Sequence, residues 1–506
     1  MTASPLQQLR RVILSKNLVK DAFRTRKIPS KKFVIDFSSP NIAKTFHVGN
    51  LKSTLYGNFL QKIFRYAGHD VISLNYLGDW GTQFALLMTY WKTMKDLPTR
   101  EQWSEMSNRD KVEALTACYV LANARLKEYP PLQDDTHRML ATMEASLLKS
   151  EDTAELRLWR EWRNISVEYL KEFYAQLGVE FTDWTSESEQ ISEGIHITNE
   201  LIEKKVATIS DDNRWVIGMN QGNLTSGRAT LRKSDDSTLY LTRDLGHLYN
   251  MDRKYAADHY LYVVEAAQSS HFAQLKAIVK AKGDEELANK IKHMDYGRVL
   301  GLSTRAGINS SVDFMIDEGI REAQSYIESS PTIKLNAEEI PDVSKLLSIS
   351  VIIFDTMRRQ KSTHYHFKFK GLFDDSGVML LNQKYSRLNS LQLVNNEIFD
   401  IMNERIQEDN LSGISLDDTA KDLYTEIMNF DTAVLLSYEN LESSDLANYL
   451  LRLAKVTGRA MNPKHGLRVK GEVESKAIPR LMLLSAAKKT LGDGMQMLGL
   501  RPIERL

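Results

Sequence analysis

The sequence predicts a doubly wound, parallel α/β sheet with a helical insertion, followed by an all-α C-terminal bundle. Three observations support this. Strand-like apolar runs alternate with helical segments through the N-terminal part of the chain. Between Phe84 and about Asp183 the sequence turns helical and charged. Beyond Ala337 it is helical almost throughout.

Taken in order, residues 1–31 form a basic leader. Arg10, Arg11, Lys16, Lys20, Arg24, Arg26, Lys27 and Lys31 stand against Asp21 as the only acid, and Leu6, Leu9, Ile13 and Leu14 can share one helical face. Such a segment reads as a mitochondrial transit peptide, or as a basic helix docked on the catalytic domain or touching RNA. Residues 32–336 are expected to form the catalytic α/β domain, with strands Phe33–Phe37, Val71–Tyr76, Tyr260–Val264 and His293–Val299 and an insertion over about 85–183. Residues from about 196 to 235 read as a small β-rich piece. The stretch Ser330 to Pro341 is the domain boundary, and 337–506 is the α-helical domain. There Leu391, Val394, Ile398 and Ile401, and then Leu446, Leu450, Leu453 and Val456, recur at the spacing of buried helical faces.

A chain of 506 residues can hold two or three domains with full cores. The single Cys118 excludes an internal disulfide framework and a cysteine-built zinc site. No apolar run reaches the roughly 20 residues of a membrane span. Net charge is zero, so contact with nucleic acid would depend on local basic patches.

The most informative stretch is Asp36 to Asn50, DFSSPNIAKTFHVGN, where a strand passes through a tight turn into a helix. The first N–H groups of a helix lack intrahelical partners and its dipole favours negative charge, so such a turn is an anion site. Gly49 lets backbone approach a nucleotide, and His47 can donate to a phosphate. His69, His247, His271 and His293 lack metal-ligand spacing, so no protein-built metal site is expected.

FSSPNIAK, HVGN and NYLGDWGTQF, followed by TLYLTRDLG, YVVEAAQSSHF and GMQMLGLRPIERL, occur in the order found in class I aminoacyl-tRNA synthetases. Within that class the chain resembles the arginyl-tRNA synthetases over nearly everything after about Lys31. The resemblance implies a Rossmann-like catalytic domain and an anticodon-binding bundle. It implies ATP-dependent activation of L-arginine, then transfer to tRNA(Arg), with Mg2+ carried by ATP. A mitochondrial matrix enzyme acting as a monomer is expected. The catalytic strand begins near Lys32, which leaves no room for the family's N-terminal tRNA-corner domain and suggests a tRNA with a reduced D-arm.

The resemblance also assigns residues. Lys44, His47, Asn50 and Arg305 are the expected catalytic set, with Gly49 and Ser303 joining them around ATP. Asp36, Asn41, Tyr240, Asp244 and Gln268 are the expected arginine ligands, Tyr240 closing a strand and Asp244 opening a helix. Asp79 and Trp80 are read as supports of the pocket. Tyr385, Arg387 and the chain end at Leu506 are expected tRNA contacts. There are two departures. Asn50 stands where the family's HIGH motif has its second histidine. Gly301 to Gly307 lacks the KMSKS lysine, a role that Lys44 takes over. A synthetase for another amino acid, or a tRNA-binding relative without catalysis, are the competing readings.

Overall fold

The computed structural model describes residues 4–94, 98–219, 227–300, 311–367, 373, 377–462 and 466–506. Strands β1 (Lys32–Asp36), β2 (Asp70–Leu77) and β3 (Asp183–Ser186) lie on one side of a five-stranded sheet. Strands β4 (Ala207–Ile209), β5 (Trp215–Met219) and β6 (Gly227–Arg232) form a separate antiparallel sheet, the expected β-rich piece. Strands β7 (His259–Glu265) and β8 (Ile291–Tyr296) complete the large sheet, whose order is β3-β2-β1-β7-β8, all parallel. The chain leaves β1 outward in both directions, so β1 marks the switch point at which such sheets bind ligands. Asp36 ends β1, opposite Leu74 on one side and Tyr262 on the other.

Two helices precede the sheet, α1 (Pro5–Leu14) and α2 (Leu18–Phe23). After β1 come α3 (Val48–Tyr66), then the insertion helices α4 (Thr82–Trp91), α5 (Arg100–Glu105), α6 (Asn108–Glu128), α7 (Leu132–Leu148) and α8 (Ala154–Leu177). The return passes through α9 (Ile191–Glu203), α10 (Tyr240–Tyr255), α11 (Ser269–Lys282), α12 (Glu285–Lys290) and α13 (Val312–Ser329). Both faces of the sheet are covered, which explains the near-continuous apolar strands. Phe33, Ile35 and Phe37 pack with Leu51, Leu55 and Phe59 of α3, while Val34 packs with Leu241, Leu245 and Leu248 of α10. Alternation therefore aims Asp36 toward α10. Helix α3 lies close on the strand because Gly57 has no side chain; a Cβ there would come within 2.2 Å of Phe37.

Beyond α14 (Ile340–Met357) the bundle comprises α15 (Val378–Val394), α16 (Asn396–Gln407), α17 (Lys421–Met428), α18 (Phe430–Asn440), α19 (Ser443–Ala460) and α20 (Glu474–Met497). Leu446, Leu450 and Leu453 are fully buried, as their periodicity predicts. The other stripe is broken: α15 ends at Val394, which is 63% exposed, and Asn395 separates it from α16. The basic N-terminus is folded and docked on the bundle, and Asn17 Nδ2 also donates to Tyr66 Oη of α3 at 3.2 Å. Leu6, Leu9, Val19 and Phe23 are buried, Leu18 N–H donates to Asp493 at 2.8 Å, and the Phe23 ring meets Tyr438 edge-on.

Three further expectations are corrected. The strand predicted over His293–Val299 ends at Tyr296, and Val299–Leu300 (β9) pairs instead with Tyr365–His366 (β10). Strand β3 was not foreseen, because its four residues, DWTS, carry little apolar signal. Tyr240 is the first residue of α10 rather than the end of a strand, which puts Asp244 one turn inside the same helix. No described helix is long and apolar enough to cross a membrane.

Candidate active site

The turn after β1 holds three non-glycine residues at positive φ, Ser38 (71°), Ser39 (43°) and Ala43 (54°). Each costs of order 1–3 kcal/mol, and such strain gathers where a site over-determines its backbone. Buried contacts hold the turn. Ser38 N–H donates to Ser53 Oγ at 2.9 Å, and Ser38 Oγ lies 2.6 Å from Tyr174 Oη. Asn41 forms a bridge to Gly78, where any Cβ would meet Asn41 Oδ1 at 2.2 Å. This close approach explains the glycine of GDWG. Asp79 is fully buried, accepting from Ser188 N–H (2.8 Å), Ser188 Oγ (2.7 Å) and Arg163 Nε (3.0 Å). Trp80 Nε1 donates to Glu144 at 3.0 Å. Both residues are thus tied to the insertion helices and to the segment after β3.

A cavity of about 220 Å³ opens over the turn, lined by Asn41, Lys44, His47 and Asn50 among others. His47 caps α3, and its Nδ1 accepts from Gly49 N–H at 2.9 Å. That bond requires an unprotonated Nδ1, which leaves Nε2–H as the free donor. Burial, then the nearby Lys44 charge, lowers the His47 pKa and keeps the ring neutral. Burial also lowers the Lys44 pKa; its Nζ lies 5.3 Å from the centre of the Tyr119 ring. Asn50 Nδ2 donates to Ser38 O at 2.9 Å, so one amide hydrogen fastens the turn to the helix. Ser303 and Arg305 lie outside the described residues.

A second, deeper group lies beside β1. Asp36 is 4% exposed; its Oδ1 accepts from Ser39 Oγ at 2.6 Å and its Oδ2 lies 3.1 Å from His247 Nε2. The His247 ring stacks on Tyr76, centroids 4.0 Å apart. Asp244 Oδ2 lies 2.7 Å from His271 Nε2, and Tyr240 lays its ring against the same histidine. Tyr240, Asp244 and His247, at i, i+4 and i+7, occupy one face of α10. Gln268 is exposed at the start of α11, and Asn41 donates to Gln83 at 3.1 Å. The structure thus places Asp36 and Asp244 about the same two buried rings, Tyr76 and Tyr262, and sets Asn41 with Lys44, His47 and Asn50.

Sequence reasoning missed five participants. Tyr76 and Tyr262 hydroxyls and His271 Nδ1 are buried without a hydrogen-bond partner. Both phenols are pushed up by burial and then by Asp36 and Asp244, so both carboxylates act on both rings. Glu187 is mostly buried and receives Arg243 Nε at 2.9 Å; burial pushes its carboxyl up to about 7. His247 was legible as the residue one turn beyond Asp244. Its spacing is not that of a metal ligand because it serves as a carboxylate partner. Two histidine-held carboxylates with unpartnered hydroxyls near them suit a cationic, planar, hydrogen-bonding ligand.

The expected RNA contacts lie at the bundle. Tyr385 lines a cavity of about 380 Å³ with Lys16, Phe399 and Lys488. Arg387 is turned toward Met461 O (3.1 Å), and Leu506 N–H is tied to Ser386 Oγ at 2.9 Å.

Comparison with known proteins identifies the family. The model for the class I (R) tRNA synthetase catalytic domain matches residues 8–369, and that for the DALR anticodon-binding domain matches 381–506. The cytoplasmic arginine–tRNA ligase of Saccharomyces cerevisiae is 30% identical over 484 residues, 95% of this chain and 77% of that protein. The mitochondrial arginine–tRNA ligase of the same yeast is 28% identical, over 94% of this chain and 72% of that protein. The arginyl-tRNA synthetase structure from Thermus thermophilus superposes with a TM-score of 0.75 at 20% identity, covering 99% of this chain and 86% of that one, a likeness of fold. With its catalytic and anticodon-binding regions both matched, the chain belongs to the class I arginyl-tRNA synthetases, the arginine–tRNA ligases.

Proposed function

We propose that the chain joins L-arginine to ATP as arginyl-adenylate and passes the arginyl group to the 3′ end of tRNA(Arg), in the mitochondrial matrix. The observation that carries the reading is the pair of histidine-held carboxylates, Asp36 and Asp244, facing unpartnered hydroxyls beside the turn of Lys44 and His47. Asp36 takes the α-amino group, Asn41 the carboxylate, and Asp244 with Tyr240 and Gln268 the guanidinium end. Glu187 adds negative charge behind Asp244.

In the first step an arginine carboxylate oxygen attacks the α-phosphorus, and the bond to pyrophosphate breaks. A carboxylate is already ionised at neutral pH, so the step needs no base. Catalysis is positioning and neutralisation of charge on the phosphates. His47 supplies a neutral Nε2–H donor and Lys44 a cation, while Asn50 fixes the turn on which both stand. Arg305 and Ser303 complete the phosphate contacts in this reading. Mg2+ enters with the ATP phosphates.

Mitochondrial placement is supported by the acid-poor basic N-terminus and by the mitochondrial ligase among the similar proteins. Tyr385, Arg387 and Leu506 are assigned to tRNA contact. The enzyme acts as a monomer on a tRNA with a reduced D-arm in this reading. Charging with arginine of a complete mitochondrial tRNA(Arg) and of one lacking the D-arm tests this. Equal charging is expected, and much poorer charging of the shortened tRNA contradicts it.

Arginine affinity is expected to fall as pH drops through about 7, where the free enzyme's Glu187 gains a proton. A bound guanidinium favours the ionised carboxyl, so binding releases a proton there. Calorimetric titration from pH 6 to pH 8, with Glu187→Gln as the flat reference, checks it. An unchanged slope in the variant removes Glu187 from the pocket.

A further inference from the structure

We propose that three hydroxyls of the helical insertion, Thr116 on α6 and Ser166 and Tyr169 on α8, position Lys44 and His47 for adenylate formation. This rests on the reading of Lys44 and His47 as phosphate-contacting residues. The segment from Ala43 to Phe46 carries Lys44 and leads into His47. Ala43 N–H donates to Ser166 Oγ at 2.9 Å, Thr45 N–H to Thr116 Oγ1 at 2.8 Å and Phe46 N–H to Tyr169 Oη at 3.1 Å.

Each hydroxyl spends its own proton elsewhere. Thr116 donates to Val112 O and Ser166 to Trp162 O, both at 2.7 Å and both four residues back in their helices. Tyr169 donates to Asp313. A hydroxyl with its proton fixed offers its lone pairs in a fixed direction, so each becomes an oriented acceptor for the turn. Ser166 and Tyr169 are almost fully buried, and water cannot substitute for them.

The cradle reaches the two residues it serves. Tyr119, one turn beyond Thr116 on the same face of α6, lies against the Lys44 ammonium. Asp313, which takes the Tyr169 proton, lies in the first turn of α13. The residue before that helix, Ser311, bridges to His47, and Val312 N–H donates to Phe46 O at 2.9 Å. Tyr169 therefore joins the backbone leading to His47 with the segment that follows residues 301–310. Ala43 sits at positive φ, a conformation that a loosened turn would abandon.

A merely structural set of hydroxyls would lower stability without altering the use of one substrate. A positioning set acts on ATP and spares arginine. The test uses Tyr169→Phe, Thr116→Val and their double variant in the full chain, with Ser166→Ala as an independent third. Arginine-dependent pyrophosphate exchange with tRNA present gives kcat and KM for ATP, and calorimetry gives the arginine Kd. A neutral hydrogen bond is worth enough that each variant should lower kcat/KM for ATP roughly 3- to 10-fold, with arginine Kd unchanged. In a Lys44→Met background the same variants should cause a smaller further fall, because the part that acts through Lys44 is already lost. Unchanged ATP kinetics in the double variant overturn the proposal. So does an equal fall in the Lys44→Met background, or an arginine Kd that weakens in step. Full exchange by Lys44→Met alone would instead remove the reading of Lys44 on which the proposal rests.

Discussion

Asp244→Ala raises the arginine concentration required for half-maximal charging by roughly two to three orders of magnitude, the loss of about 3–4 kcal/mol. The carboxylate is about one-fifth exposed, accepts from His271 and lies on the α10 face that also carries Tyr240 and His247. Removing it leaves a guanidinium in a shielded site without its planar partner, and that penalty exceeds the value of a surface ion pair. Arginine titrations of the charging rate measure it. Asp244→Asn separates charge from shape, since the amide keeps the volume and one acceptor; it should recover only a small part of the loss. A variant within severalfold of the native requirement would place arginine elsewhere.

Lys44→Met cuts adenylate formation by roughly 100- to 1,000-fold while leaving arginine binding intact, the scale of removing one preorganised charge from a phosphoryl-transfer site. Lys44 lies in the same cavity as His47 and Asn50, and no lysine occurs in Gly301 to Gly307 to share its task. The two substitutions should separate cleanly: Asp244→Ala acts through arginine, Lys44→Met through ATP. Single-turnover adenylate formation at saturating arginine reads the second, and native rates in the variant would exclude Lys44.

Much of this is legible in the sequence. Strands β1, β2 and β7 are buried on both faces, so they appear as apolar runs, and the motif residues fall just beyond their carboxyl ends. The expectation that Tyr240 closes a strand is met differently. In the structure Leu239 is extended and the helix begins one residue later, which keeps Tyr240 and Asp244 on one face by helical spacing. His247 was legible as a residue on the Asp244 face of α10, but the pairing of each carboxylate with its histidine was not. His247 lies 211 residues from Asp36, and nothing local marks it as that residue's partner. The cradle was hidden for the same reason: Ala43 meets Ser166 across 123 residues and Thr45 meets Thr116 across 71. Serine and threonine inside charged helices read as ordinary surface until the tertiary fold brings a backbone N–H to them. Val394 shows the opposite failure, an apolar stripe whose helix simply ended.

The central claim is that this site, with Asn50 in place of a second histidine and Lys44 in place of the missing signature lysine, makes arginyl-adenylate. Arginine-dependent exchange of pyrophosphate into ATP, run with and without mitochondrial tRNA(Arg), tests it most directly. The account predicts exchange that requires both arginine and tRNA. Absence of exchange with tRNA bound would contradict it and leave an RNA-binding relative of the family.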